Sequence, residues 1–196
     1  MPRHPESRTR ERNLTTDCQF VRKLKAGDPQ AYETLVERFE APLYRYFLAS
    51  HGDQQLAAEQ SADCFGDLVE SLPKMTGELN QLRAFVFAVA RNVLRRSWKS
   101  RKRDYTPLVE LDELADDWPS ADDTAEQLEE SHRIIEAIQS LDAPTRDVLL
   151  LRFVELMPIA EIAATTGEPV GTVKSRLSRG RERLARIIHI KSQRHE

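Results

Sequence analysis

The stretch Val170-Gly-Thr-Val-Lys-Ser-Arg-Leu-Ser-Arg-Gly-Arg-Glu-Arg-Leu184, preceded by Ile159-Ala-Glu-Ile-Ala-Ala-Thr-Thr-Gly167, decides how this chain is read. At about 100° per residue, Val173, Leu177, Gly180 and Leu184 fall on one narrow stripe suited to burial against a scaffold. Gly171, Ser175, Ser178 and Arg179 lie opposite, with Thr172 beside them and Lys174, Arg176, Arg181 and Arg183 on the flanks. Two helices broken at Gly167 have the layout of a helix-turn-helix DNA reader. Small polar residues let such a helix approach base edges, while flanking cations neutralise phosphates.

Upstream of the reader, Asp142-Ala-Pro144 supplies a helix start ahead of Val148, Leu149, Leu151 and Phe153, and helical patterning also spans Ala125 to Ile138. Between Asp104 and Glu130 there are eleven Asp/Glu and no Lys/Arg, with Pro107 and Pro119 interrupting any periodicity, so residues 104–127 read as an acidic linker. The first half is again helical. A short run from Phe20 to Lys25 ends at Gly27, Asp28-Pro29 starts a helix expected to kink at Pro42, and Gly52-Asp53 separates it from a third ending before Pro73. A loop around Met75 to Gln81 leads into a fourth helix, Leu82 to Trp98. Leu82, Phe85, Val86, Val89 and Val93 form its core stripe, and a second face carries Phe87, Arg91, Leu94, Arg95 and Trp98. From Arg91 to Arg103 there are seven Lys/Arg and no acid. Aromatics interleaved with arginines suit single-stranded nucleic acid, although Phe87 and Leu94 would equally serve as packing against a neighbouring helix. The expected fold is all-α: two small helical domains, residues 17–103 and 128–190, joined by a flexible acidic linker and preceded by a disordered tail at 1–16.

Composition narrows the function. A net charge of −3 over 196 residues conceals basic surfaces separated by an acidic segment, which matters more than the overall balance. Cys18 and Cys64 are isolated from each other and from metal-ligand spacing, as expected for reduced thiols in the cytoplasm. No apolar run reaches the ~20 residues of a membrane span, and residues 1–16 lack the apolar core of a secretory signal. His4, His51, His132, His189 and His195 are scattered, and no phosphate loop, paired-carboxylate site or nucleophile motif is present. The expectation is a protein without enzyme activity, cofactor or metal, acting through binding alone.

The two halves together resemble a sigma factor of bacterial RNA polymerase, of the extracytoplasmic-function type that keeps only domains two and four. Leu141-Asp-Ala-Pro-Thr-Arg-Asp-Val-Leu-Leu-Leu-Arg-Phe-Val154 resembles the opening helix of domain four, and Val170 to Leu184 its −35 recognition helix. Ala26-Gly-Asp-Pro-Gln-Ala-Tyr-Glu-Thr-Leu35 and Leu82-Arg-Ala-Phe-Val-Phe-Ala-Val-Ala-Arg-Asn92 resemble domain two and its −10 helix. The resemblance implies that domain two binds the β′ clamp helices of core RNA polymerase and helps open the −10 element. It implies that domain four sits on the β flap and reads the −35 element of promoter DNA. By position, the −10 surface would comprise Phe87, Arg91, Asn92, Arg95, Arg96 and Lys99, with the Met75 to Gln81 loop receiving an unstacked base. The −35 surface would comprise Thr172, Lys174, Ser175, Arg176, Ser178, Arg179 and Arg183. Among these, Arg179 is the candidate for a base contact, since a guanidinium can bridge two acceptors on guanine.

Core polymerase would meet Glu59, Asp63 and Asp67, a carboxylate ridge at i, i+4 and i+8, although Ala62 stands where the family usually has glutamine. Thr166 occupies a position that is usually apolar. In the family the linker threads the polymerase active-site cleft and RNA exit channel, and here Asp112, Glu113, Asp116 and Asp117 would either occupy that basic channel or fold back on the chain's own basic helices. A dedicated anti-sigma factor is the typical inhibitor. The competing reading is a helix-turn-helix regulator that acts on an operator without replacing the sigma subunit, but the aromatic and basic helix from Leu82 does not suit a ligand or phosphoacceptor domain.

Overall fold

A computed structural model of the chain describes residues 19–75, 81–101 and 134–192, with the side chains of 99–101 and 188–192 outside that description. Among the described residues every regular element is a helix. In order these are α1 (residues 19–25), α2 (Pro29–His51), α3 (Gln54–Ser71), a single 3-10 turn (Leu72–Lys74), α4 (Leu82–Arg101), α5 (residues 134–139), α6 (Ala143–Phe153), α7 (Ile159–Thr166) and α8 (Val170–Ser192). The linker, the N-terminal tail and most of the Met75 to Gln81 loop lie outside the described residues.

Local chemistry sets the boundaries. The Asp28 carboxylate accepts from the Gln30 N–H at 3.0 Å with Pro29 in the first turn, and Asp53 accepts from the Leu56 N–H at 3.0 Å. Each satisfies an amide that the first helical turn leaves without a partner. Gly52, at φ 69°, ends α2 by donating its N–H to the Leu48 carbonyl at 2.7 Å, a left-handed conformation that a side chain would strain. The helix continues through Pro42 as one element.

Helices α2, α3 and α4 enclose Leu35, Leu43, Tyr46, Phe47, Leu68, Val86 and Phe87, and α6, α7 and α8 enclose Val148, Leu149, Leu151, Ile162, Val173 and Leu177. The two halves are not separate beads. Helix α6 packs on α2 and α7 packs on α4, so their buried side chains form one contiguous set.

Phe87 is wholly buried, edge-on to the Tyr46 ring at 5.5 Å. Its expected place on the −10 surface is therefore corrected: it is a core residue of α4, because α4 is covered on more than one side. Leu94 and Ala90 are buried for the same reason.

Candidate nucleic-acid interface

The reader is built by α7, its turn and α8. Gly167, at φ 71°, ends α7 by donating its N–H to the Ala163 carbonyl at 2.9 Å. Thr166 uses its polarity there: its hydroxyl donates to the Ile162 carbonyl at 2.8 Å and accepts from the Glu168 N–H at 3.3 Å. Helix α8 spans 23 residues, about 35 Å at 1.5 Å per residue. Val173, Leu177 and Gly180 are buried and Leu184 partly so, which is the stripe the periodicity gives. Burying Val173 and Leu177 is worth roughly 1.5–3 kcal/mol each.

The opposite face is open. Lys174, Ser175, Ser178, Arg179 and Arg183 are exposed, and Thr172 and Arg176 are half-buried. Arg179 lies along its own helix, donating to the Ser175 carbonyl at 3.3 Å. Two flanking cations have acidic partners. Arg176 donates to Glu168 at 2.9 Å and Arg183 to Asp142 at 3.2 Å. Glu168 thus holds the turn against the helix it introduces, and Asp142, the N-cap of α6, holds the middle of α8. The hydrogen bonds from Thr145, with the Arg183 charge beside it, keep the Asp142 carboxyl below its ordinary range against the upward pull of burial.

On α4, Asn92, Arg95 and Arg96 are exposed. Arg96 pairs with Asp67 of α3 at 2.5 Å, so the expected −10 and polymerase surfaces adjoin. Lys99 lies outside the described side chains. Glu59 and Asp63 are exposed on the same face of α3, and Glu59 accepts from Gln55 at 3.0 Å. Beside this ridge Val36, Ala41, Tyr44, Ala58, Ala62 and Phe65 line a groove of about 490 Å³ between α2 and α3. Cys64 is buried, and burial pushes its thiol up to about 12, which leaves it without a reactive thiolate at neutral pH.

Arg91 is placed differently from its neighbours. It donates to Asp147 of α6 at 2.9 Å and to the Thr165 carbonyl of α7 at 3.1 Å. Arg83, one face round α4, binds the Glu155 carbonyl and lies 3.6 Å from the Glu155 carboxylate and 4.0 Å from Glu161. Arg146 of α6 stacks its guanidinium 4.1 Å above the Trp98 ring. Sequence reasoning missed Asp147, Glu155 and Arg146. The available signal was Arg146-Asp147 standing directly before the apolar run Val148 to Leu151, a position where charges become buried. Burial pushes the Asp147 and Glu155 carboxyls up, Glu155 to about 7, against the opposing pull of neighbouring arginines.

Among the described residues, an all-helical fold that closes on a helix-turn-helix with a cationic outer face has the build of a DNA reader. Comparison with known proteins takes this further. Residues 131–184 match the family described as sigma-70, region 4. The chain is 22% identical over 171 residues to the extracytoplasmic-function (ECF) RNA polymerase sigma factor BldN of Streptomyces coelicolor, covering 87% of this chain but 65% of that one. It is 23% identical over 178 residues to the ECF RNA polymerase sigma factor SigW of Bacillus subtilis, covering 86% of this chain and 94% of that one. In fold it matches the sigma factor RpoE from Bartonella quintana, solved in complex with the anti-sigma factor NepR, with a TM-score of 0.62 at 20% identity over 81% of this chain and 97% of that one. The C-terminal part of the chain thus matches sigma-70 region 4, and over most of its length the chain is similar to extracytoplasmic-function sigma factors. No helix among the described residues is long and apolar enough to cross a membrane.

Proposed function

We propose that the chain is a sigma factor that binds core RNA polymerase and directs promoter-specific initiation, with residues 17–103 as domain two and 128–190 as domain four. The observation that carries this reading is the outer face of α8, where small polar residues and Arg179 are open between flanking cations while the opposite stripe is buried. Arg179 reads base edges of the −35 element, with Thr172, Ser175 and Ser178 allowing close approach. Lys174, Arg176 and Arg183 hold phosphates, the latter two exchanging Glu168 and Asp142 for the DNA backbone. Asn92, Arg91, Arg95, Arg96 and Lys99 face the −10 element. The ridge of Glu59, Asp63 and Asp67 meets basic residues of the β′ clamp helices, and the β flap receives domain four.

The protein does no chemistry of its own. It supplies binding energy that favours the melted promoter, working in the cytoplasm beside the polymerase. Its inhibitor is an anti-sigma factor, as in the RpoE complex. Run-off transcription with purified core polymerase and a pool of promoter fragments tests the assignment. Specific transcripts that depend on the chain are expected; repression, or no change, would instead favour the operator-binding regulator.

A further inference from the structure

We propose that Asp67 is a positioning residue for −10 recognition: it holds the Arg96 guanidinium by one edge so that the other meets a phosphate of the melted strand. This rests on the reading of α4 as the −10 helix, and it gives Asp67 a second duty beside the carboxylate ridge. At about 100° per residue, Asp67 stands about 80° round α3 from Glu59. It is half-buried, whereas Glu59 and Asp63 are exposed. That turn carries its carboxylate away from the ridge and onto the seam with α4, where Oδ2 accepts from Arg96 Nη2 at 2.5 Å.

The two side chains are unequally placed. That of Asp67 is 33% exposed and that of Arg96 61%, so an incoming strand meets the guanidinium before the carboxylate. The described residues give Arg96 Nε and Nη1 no acceptor. Because the guanidinium is a rigid planar fork, fixing Nη2 on α3 also fixes the direction in which the remaining donors point. A loose arginine gives up its rotamer freedom when it takes a phosphate, and one already tethered gives up less. The opposing effect is repulsion between the Asp67 carboxylate and that phosphate. Water screens it at this open edge of the helix pair, and the guanidinium charge lies between the two anions. Ordering then outweighs repulsion, and the sign of an Asp67 substitution reports which of the two prevails.

The test uses the full chain assembled with saturating core RNA polymerase, so that a weaker ridge does not enter the measurement. Binding is read across a range of salt on a promoter recovered from the run-off pool and mismatched over its −10 element. Asp67→Asn should weaken binding about three- to fivefold, the scale of a part-exposed charge pair, and Asp67→Glu should recover most of the loss. Arg96→Ala should lower the slope of log affinity against log salt by about one. Asp67→Asn should leave that slope in place, because the phosphate contact survives without its guide. In the Arg96→Ala background, Asp67→Asn should cost nothing more. Tighter binding by Asp67→Asn would show that the carboxylate competes with the phosphate, and an equal loss with Arg96 absent would show a merely structural role. No loss at saturating polymerase would confine Asp67 to the ridge. Each of these results overturns the proposal. A parent that yields no run-off transcript removes the sigma reading itself, before any variant is compared.

Discussion

Replacing Glu155 with glutamine should make the protein more stable at alkaline pH, by an amount that the burial of this carboxyl sets. Glu155 sits 4% exposed between α6 and α7, with Arg83 and Arg45 as its charged neighbours from α4 and α2. Burial dominates, raising its pKa from 4.5 to about 7. The folded state therefore holds the proton more tightly than the unfolded chain. Stability falls as pH rises from the unfolded value towards the folded one, and levels off above it. At about 1.4 kcal/mol per pH unit, the full loss is roughly 3 kcal/mol, as an order of magnitude. Glutamine mimics the protonated acid and escapes it. Urea unfolding of both proteins from about pH 5 to about pH 8.5 gives a difference free of the other titrating groups, including Asp147, which burial also shifts upward. The glutamine variant should gain on the parent up to about pH 7 and run parallel beyond. Parallel curves throughout, or a parent that gains with pH, would show that Arg83 outweighs burial and refute the reasoning.

Arg179→Ala should relax −35 discrimination at one or two positions by about 1–3 kcal/mol, measured by competition among single-base promoter variants. Lys174→Ala should weaken all sequences alike and lower the slope of log affinity against log salt by about one. Phe87→Ala should cost roughly 3–5 kcal/mol of stability in chemical denaturation. It should impair duplex and pre-melted promoters equally, because the ring supports α4 from within rather than touching DNA. At Gly180 a methyl would lie 2.7 Å from Thr145 Cγ2 and 3.0 Å from Leu149 Cδ1, and Thr145 is locked by its 2.8 Å bond to Asp142. Overpacking of about 1–3 kcal/mol opposes a gain of about 1 kcal/mol in helix propensity, so Gly180→Ala should lower the unfolding midpoint.

The reader was legible because its signals are local. The stripe of Val173, Leu177 and Gly180 needs only one helical period, and Asp28, Asp53 and Asp142 announce helix starts that the structure shows. Phe87 was misassigned because period alone cannot say how many neighbours a helix has. Helix α4 is apolar around much of its circumference, as a helix enclosed on several sides must be. The docking of α6 and α7 onto α2 and α4 left no periodic trace. Asp147 and Glu155 lie far from Arg91 and Arg83 in sequence, and only tertiary packing brings them together. Arg176 and Arg183 were legible as cations, but their acidic partners were not.

Gly180 touches no base and carries no side chain, yet it sets how deeply the long terminal helix beds into its support. A rod seated that closely cannot roll, so the angular phase of Ser175, Ser178 and Arg179 is dictated from behind. Any residue that lifted the rod there would swing every fingertip on its far side at once, altering which grooves the hand can grip without changing a single finger.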